Sequence, residues 1–489
     1  MRQFTGSLQA TTDGKRCAAG AAWRSAGAAW LAALLAGVLS ACAGTPSRAP
    51  LQPSVTLAEF NARHLEQLSP QLPPASAGWD RSQWLAAALQ LNPQLSAERA
   101  EVNAAAAAER TAAQRPNPTV QLFAEYLTSA AQSAAWLYGL SLDFLLRQPG
   151  ERARARQQTD LQTALAESDL TESIWQVRAA LRQALLDAVS ARDELALLQS
   201  LVAERQALLE TDRARLALGD IARTQLLSDE LELSRARQRE QQSRTRSVDA
   251  VARLAGAVGV PVAALDGVPV RWPDWAQVDE LQVATPERWR SEALIARPQI
   301  VHALREYDLA EVGLQSEVAR RWPQLHVTPA YSWGGGGARE NTLFGISSEG
   351  GVALSFELPL LNQHQGQIGE ALARRTAAGE HLKAVQAQVF EQIDRAELAW
   401  PAARQAWDET RKAAGIAERQ HETEQHALRA GASERGSVVA AQIAATEARL
   451  AMLQAAYTAE VVFGALEDAY RRPLQGSESQ WPPLVSPRS

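Results

Sequence analysis

Seven histidines and two cysteines are the side chains of this 489-residue chain best suited to hold a metal or act as nucleophiles. The histidines, His64, His302, His326, His364, His381, His421 and His426, are scattered. His421 and His426 come nearest to a pair, but they sit five apart, and ligation from one helix face needs i and i+4. Gly334 to Gly337 follows a strand-like run, yet no Lys-Ser/Thr comes after it, so it reads as a loop and not a phosphate cradle. There is no nucleophile elbow. The sequence thus reads as a non-enzyme, with no catalytic residue, no metal and no cofactor.

One reactive side chain has a defined setting. Lys15, Arg16 and Arg24 precede an apolar run from Ala26 to Val38, which is too short for a comfortable membrane span and ends in Leu39-Ser40-Ala41-Cys42. This resembles the bacterial lipobox. It predicts a signal peptide over 1–41 and a covalent lipid on Cys42, the first mature residue. Ala43, where an Asp would redirect sorting, points to the outer membrane. Cys17 leaves with the signal, so the mature chain has no internal disulfide.

The elements that follow are long. Abundant Ala and Leu with Gln, Arg and Glu between them favour extended helices over one compact core. The net charge of −6, with no basic patch interleaved with aromatics, gives no case for nucleic acid. The mature chain has no run of about 18 apolar residues, so only strands could carry it through a bilayer.

Residues 42–80 read as a tether, with a short helix around Leu57 to Leu68. A helix is expected over 82–114, stopped by Arg115-Pro116-Asn117-Pro118. A strand near 118–127 follows, with Val120, Leu122, Ala124 and Tyr126 on one face and Phe123 on the wrong one. The next strand, near 136–146, alternates Trp136, Tyr138, Leu140, Leu142 and Phe144 with Gly139, Ser141 and Asp143. From Glu151 no Pro or Gly appears until Gly219, which gives a helix about 100 Å long. Its narrow apolar stripe suits packing beside other long helices. A second helix returns over 221–256.

After a mixed linker at 257–291, carrying Trp272 and Trp275, the pattern repeats. A helix from Glu292 to Arg320 ends at Arg321-Trp322-Pro323. Strands near 324–333 and 351–360 follow, then a long helix to Gly431 and a return helix from about Glu434 to Tyr470. Leu140-Ser141-Leu142-Asp143 and Leu354-Ser355-Phe356-Glu357 match in type. The chain is a duplication, 81–256 and 292–471, with a tail at 472–489. Pro401, inside the second long helix, predicts a kink near Trp400.

Two strands per half make four, too few to close a barrel and costly if left open in lipid. Two chains would give eight strands with a filled interior; three would give twelve and a lumen. The small, polar inner face favours three, with Glu125, Asp143 and Glu357 lining the pore.

These residues resemble the TolC family of outer-membrane efflux ducts. The resemblance runs from about Trp84 to Tyr470 and rests on Arg115 to Pro118, on Leu354 to Leu361 followed by Gln363 to Ile368, and on the two turn glycines. It implies a mainly α fold with a transmembrane β-barrel: a homotrimer with a twelve-stranded barrel and an α-helical periplasmic tunnel. It also implies docking to a periplasmic adaptor and an inner-membrane transporter, contact with outer-membrane lipid, and no chemistry of its own. Gly219 and Gly431 would form the periplasmic tips, with 216–227 and 428–439, including Thr224, Gln225 and Ser437, as adaptor contacts. The family often has Asp six residues past the turn glycine, narrowing the aperture. Gln225 and Ser437 stand there instead, leaving Asp220, Asp229 and Glu434 as substitutes. The Asn362 to Ile368 junction leans toward the cation-efflux branch. An adaptor or a structural coiled-coil lipoprotein is the competing class, but neither needs two hairpins and four two-faced strands.

Overall fold

The computed structural model describes residues 50–65, 78–127, 135–272, 274–278, 281, 287–334 and 348–475. The expected signal segment with Cys42, the loops at 128–134 and 335–347 and the end of the tail lie outside the described residues. Residues up to Ala62 form one unit, whose helix α1 (Pro53–Asn61) starts on a proline and stops short of the 57–68 span expected.

The second unit, from Arg63 onward, holds the duplicated architecture. Its first half is α2 (Arg81–Leu91), α3 (Pro93–Ala112), β1 (Thr119–Leu127), β2 (Ala135–Leu146), α4 (Glu151–Leu218) and α5 (Arg223–Val258). Its second half is α6 (Glu287–Ala296), α7 (Pro298–Ala319), β3 (Leu325–Gly334), β4 (Ser348–Phe356), α8 (Gln365–Arg429) and α9 (Arg435–Tyr470). A 3-10 turn, Val262–Leu265, sits in the linker between them.

Two helices expected to be continuous are broken, at the same place in each half. Asn92 and Arg297 are extended, with ψ of 121° and 136°, and each is followed by a proline that opens the next helix. Proline lacks the N–H an interior position needs and disfavours the helical region in the residue before it. The Asn92 side chain accepts from the Gln94 N–H at 2.9 Å, capping α3. Asp80 caps α2 in a reciprocal box with Gln83. Pro401 behaves otherwise: α8 runs through it as one helix.

The long helices pair as hairpins, α4 with α5 and α8 with α9, and α9 also packs along α4. The main core lies where the linker meets them. Trp79, Trp84, Trp272, Trp275, Val278 and Leu281 are buried against Leu181, Leu185 and Leu186 of α4, Leu254 and Val258 of α5, and Phe463 of α9. Trp79 pairs with Val270 as an isolated parallel bridge, and the Trp275 indole donates to Asp193 at 2.9 Å. The proline-rich linker is therefore a folded part of the core. Among the described residues, no helix is long and apolar enough to cross a membrane.

Candidate functional site

The four strands form one antiparallel meander in the order β1-β2-β3-β4, which leaves β1 and β4 as edges. Paired residues share a face, so the register sorts the side chains. Val120 pairs with Leu142, Tyr126 with Trp136, Tyr138 with Trp333 and Leu354 with Val327, all on one face. Most of that face is exposed, including Leu122, Trp136, Phe144, Tyr331 and Leu354. A water-soluble sheet would bury such a surface; a lipid-facing one displays it. The sequence reading missed a further feature, an aromatic band. Tyr126, Trp136, Tyr138, Trp333 and Tyr331 form an unbroken chain of ring contacts, with centroids 5.1 to 6.3 Å apart, at the end of the sheet farthest from the long helices. Such girdles mark the level of lipid headgroups. These residues come from three strands, so only the register shows them as a band.

The opposite face carries Thr119, Gln121, Glu125, Gly139, Ser141, Asp143, His326, Thr328, Ala330, Ala353 and Ser355. Phe123, the apparent exception, stands opposite Gly139 and lays its ring over it: a Cβ there would lie 2.1 Å from the ring. The aromatic covers backbone that glycine leaves bare. Asp143 accepts a hydrogen bond from the Thr328 hydroxyl at 2.9 Å, and its other oxygen is 3.0 Å from His326 Nδ1. This cluster fills a gap in the β2–β3 pairing beside Pro329, which has no N–H to give the ladder. The three acids expected in the pore are not brought together. Glu125 pairs with Leu137, six residues along β2 from Asp143, or roughly 20 Å at strand rise. Glu357 lies one residue beyond β4 and is exposed.

The two turns share one construction. Gly219 and Gly431 are left-handed, with φ of 79° and 73°. The Asp220 N–H reaches back to the Arg215 carbonyl at 2.9 Å, and the Ala432 N–H to the Ala427 carbonyl at 2.8 Å, each beside a shorter-span bond from the glycine N–H. This is the glycine-terminated helix ending in which positive φ costs an L-residue most. Asp220, Thr224, Gln225, Glu434 and Ser437 are exposed around these turns. Asp229 is not: it is buried inside the first hairpin, facing Asp212 of α4, and the Gln225 amide lies 3.3 and 3.2 Å from its two oxygens. Arg215 joins the two tips, with Nη1 3.5 Å from Asp212 and Nη2 3.8 Å from Glu434.

A clamp of buried charge links the halves higher up. Arg178 Nη2 is 3.1 Å from Glu467 Oε2, and Arg182 reaches Glu460 at 2.6 Å and Glu467 at 3.4 Å. Gly464 makes room for it: a Cβ there would lie 2.0 Å from the Arg182 guanidinium. Burial pushes the Glu467 carboxyl up, but Arg178 and Arg182 more than offset that and hold it below the usual range. Burial wins at Glu460, which rises to about 7 despite Arg182, and at Asp468, which rises to about 6 despite Arg178 and Arg471. Partners nearly 300 residues apart gave the sequence reading no means of finding this clamp. Among the described residues, no three His, Cys, Asp or Glu side chains converge as a metal site.

Residues 289–469 match the family model described as outer membrane efflux protein. Among solved structures, the outer-membrane channel OprN superposes with a TM-score of 0.66 at 17% identity, over 87% of this chain and 97% of that one. VceC of Vibrio cholerae gives 0.63 at 16%, over 80% and 95%. The open state of the MtrE channel of Neisseria gonorrhoeae gives 0.64 at 17%, over 80% and 88%. At these identities the shared property is the fold. No curated protein sequence gives a significant match.

Proposed function

We propose, from the match of residues 289–469 to the outer membrane efflux protein model, that this protein is the passive outer-membrane duct of a tripartite efflux system. The observation that carries the reading is the sheet. It has an apolar face with an aromatic band, a small and polar face, and two open edges, and it is joined to helices of 68 and 65 residues. In lipid, open edges cost several kcal/mol per unsatisfied backbone group, so copies must join edge to edge until the sheet closes. Three copies give twelve strands and leave a lumen. The helices, each about 100 Å long, would extend that wall into the periplasm, where a transporter and adaptor deliver cargo. The chain supplies a wall and no reaction: cargo passes along the inner face past Asp143, His326 and Thr328. Selection of cargo falls to the transporter.

We place the protein in the outer membrane, anchored by lipid on Cys42, with the tips at 216–227 and 428–439 as the adaptor contacts. Purified protein in a planar bilayer should give discrete ion-conducting steps; their absence from a homogeneous preparation would contradict the duct. Cys42→Ser should abolish palmitate labelling and leave the pore intact. Labelling that persists in this variant would remove Cys42 as the anchor.

A further inference from the structure

We propose that the helix end of the sheet carries a headgroup-binding collar, in which Arg115 and Arg321, beside Trp322, Leu360 and Leu361, bind anionic phospholipid of the periplasmic leaflet. Placing the collar at that leaflet rests on the reading of the sheet as a lipid-facing wall. Four junctions meet at this end. The Arg152 guanidinium donates to the Ala113 carbonyl at 2.7 Å, the Gln148 amide to the Trp322 carbonyl at 2.6 Å, and the Glu357 N–H to the Gln324 carbonyl at 3.3 Å. Segments 113–118, 147–156, 320–324 and 357–364 together hold seven arginines against the acids Glu151 and Glu357, in a chain whose net charge is −6. Some of these arginines are engaged within the chain: Arg147 lies 3.7 Å from Glu151, and Arg320 lies 2.5 Å from Glu317. Arg115 and Arg321 are both exposed, and neither pairs with an acid among the described residues. They hold the same place in the two halves, just past α3 and α7 and shortly before a strand. A closed ring of three copies would present six of them.

The apolar surface beside them continues the apolar face of the sheet. Leu358 prolongs the alternation of Leu354 and Phe356 past the end of β4; Leu360 is 75% exposed and Leu361 fully so. Trp322 is 72% exposed between Arg321 and Pro323. Trp136, in the aromatic band, and Leu146 stand ten residues apart on β2. That is roughly 33 Å of strand, or about 25 Å of height at a tilt of about 40°. An outer-membrane barrel has an apolar band of this height, so the second headgroup level falls at the collar. The two ends of the sheet differ in charge. The band end carries Glu125 and Glu349. The helix end carries guanidiniums, whose forked N–H groups suit phosphate oxygens. A free phosphate would use the arginines and leave Trp322, Leu360 and Leu361 in water. A phospholipid covers both, with its phosphate on the arginines and its glycerol and upper acyl carbons on the indole and leucines.

Lipid retention by the purified, detergent-solubilised assembly tests this. The full protein is equilibrated with mixed micelles holding equal amounts of phosphatidylglycerol and phosphatidylcholine, and the lipids it keeps are counted by intact mass. Wild type should retain phosphatidylglycerol over phosphatidylcholine about fivefold or more, and less so at high salt. Arg115→Gln combined with Arg321→Gln should bring the ratio near one, while the assembly keeps its mass and still conducts. Leu360→Ser combined with Leu361→Ser should lower the total lipid retained and keep the preference. Equal retention by wild type, or a double arginine variant that keeps the preference, overturns the collar. So does displacement of phosphatidylglycerol by inorganic phosphate beyond that by chloride of equal ionic strength, which would mark a site for the free anion. Dissociation of the arginine variant into single chains also overturns it, by placing these residues in the seam between copies. A wild-type assembly that keeps the preference and does not conduct removes the duct reading alone.

Discussion

The two return helices, α5 and α9, are copies of one element placed in different surroundings. Each has 36 residues and starts four residues past its turn glycine, so their positions correspond one to one. On α9, Ile443, Glu460 and Phe463 are buried; Ile443 clusters with Leu198 and Leu201 of α4, and Glu460 binds Arg182. The corresponding residues of α5 are Leu231, Val248 and Val251, and all three are exposed. The face that α9 spends on α4 is therefore apolar on α5 and open. The counterpart of α4 is α8, which exposes Phe390, Leu398 and Ile416. On the proposed reading, the α9–α4 contact inside one chain recurs as an α5–α8 contact between chains. Duplication gives the chain one copy of the joint already made and leaves the other for assembly.

The largest test of this comparison is at the joint already made. Arg182→Ala would strand Glu460 inside the protein and leave Glu467 with Arg178 alone, at a cost of about 3–5 kcal/mol, read as a lower melting temperature of the isolated chain. Leu142→Asp on the apolar sheet face should cost about 2 kcal/mol or more at mid-membrane and deplete the protein from the outer-membrane fraction. Leu231→Asp should leave the secondary structure and melting of the single chain within about 0.5 kcal/mol, because the site is exposed, yet abolish the oligomer. If instead its effect matches that of Ile443→Asp, the two faces are not counterparts.

The clamp also predicts a pH response. Glu460 and Asp468 sit at about 7 and about 6, above their ordinary values of 4.5 and 3.8. Their stabilisation is complete below the ordinary values and fades as pH rises through 6 to 7, so melting should fall from acid toward neutral. Glu460→Gln should flatten that slope. The smallest effect concerns the helix starts. Gly150 opens α4 with φ of 82°, and at the same place before α8 stands His364 with φ of 58°. His364→Gly should relieve a left-handed conformation and raise stability by up to about 1 kcal/mol, whereas Gly150→Ala should lower it.

What the sequence made legible was the periodic part. Alternation from Trp136 to Phe144 and an unbroken helical run to Leu218 are local patterns, set by which side chains share a face. The breaks at Asn92-Pro93 and Arg297-Pro298 were also written locally, but the apolar stripe continued across each and masked it. Aligning the halves on those prolines would have exposed both. Phe123 looked misplaced until the register put Gly139 opposite it. Asp229 read as an aperture candidate near a turn, because the sequence alone does not show that the hairpin buries it. Arg178 and Arg182 gave no local signal for the same reason, since their partners Glu467 and Glu460 lie in the other half of the duplication.

The central claim is that this sheet is one third of a closed wall, and the mass of the detergent-extracted assembly tests it most directly. The account predicts three copies of the chain in the species that conducts ions. A conducting species of one or two copies would contradict it, because four strands cannot close and eight leave an interior filled by side chains.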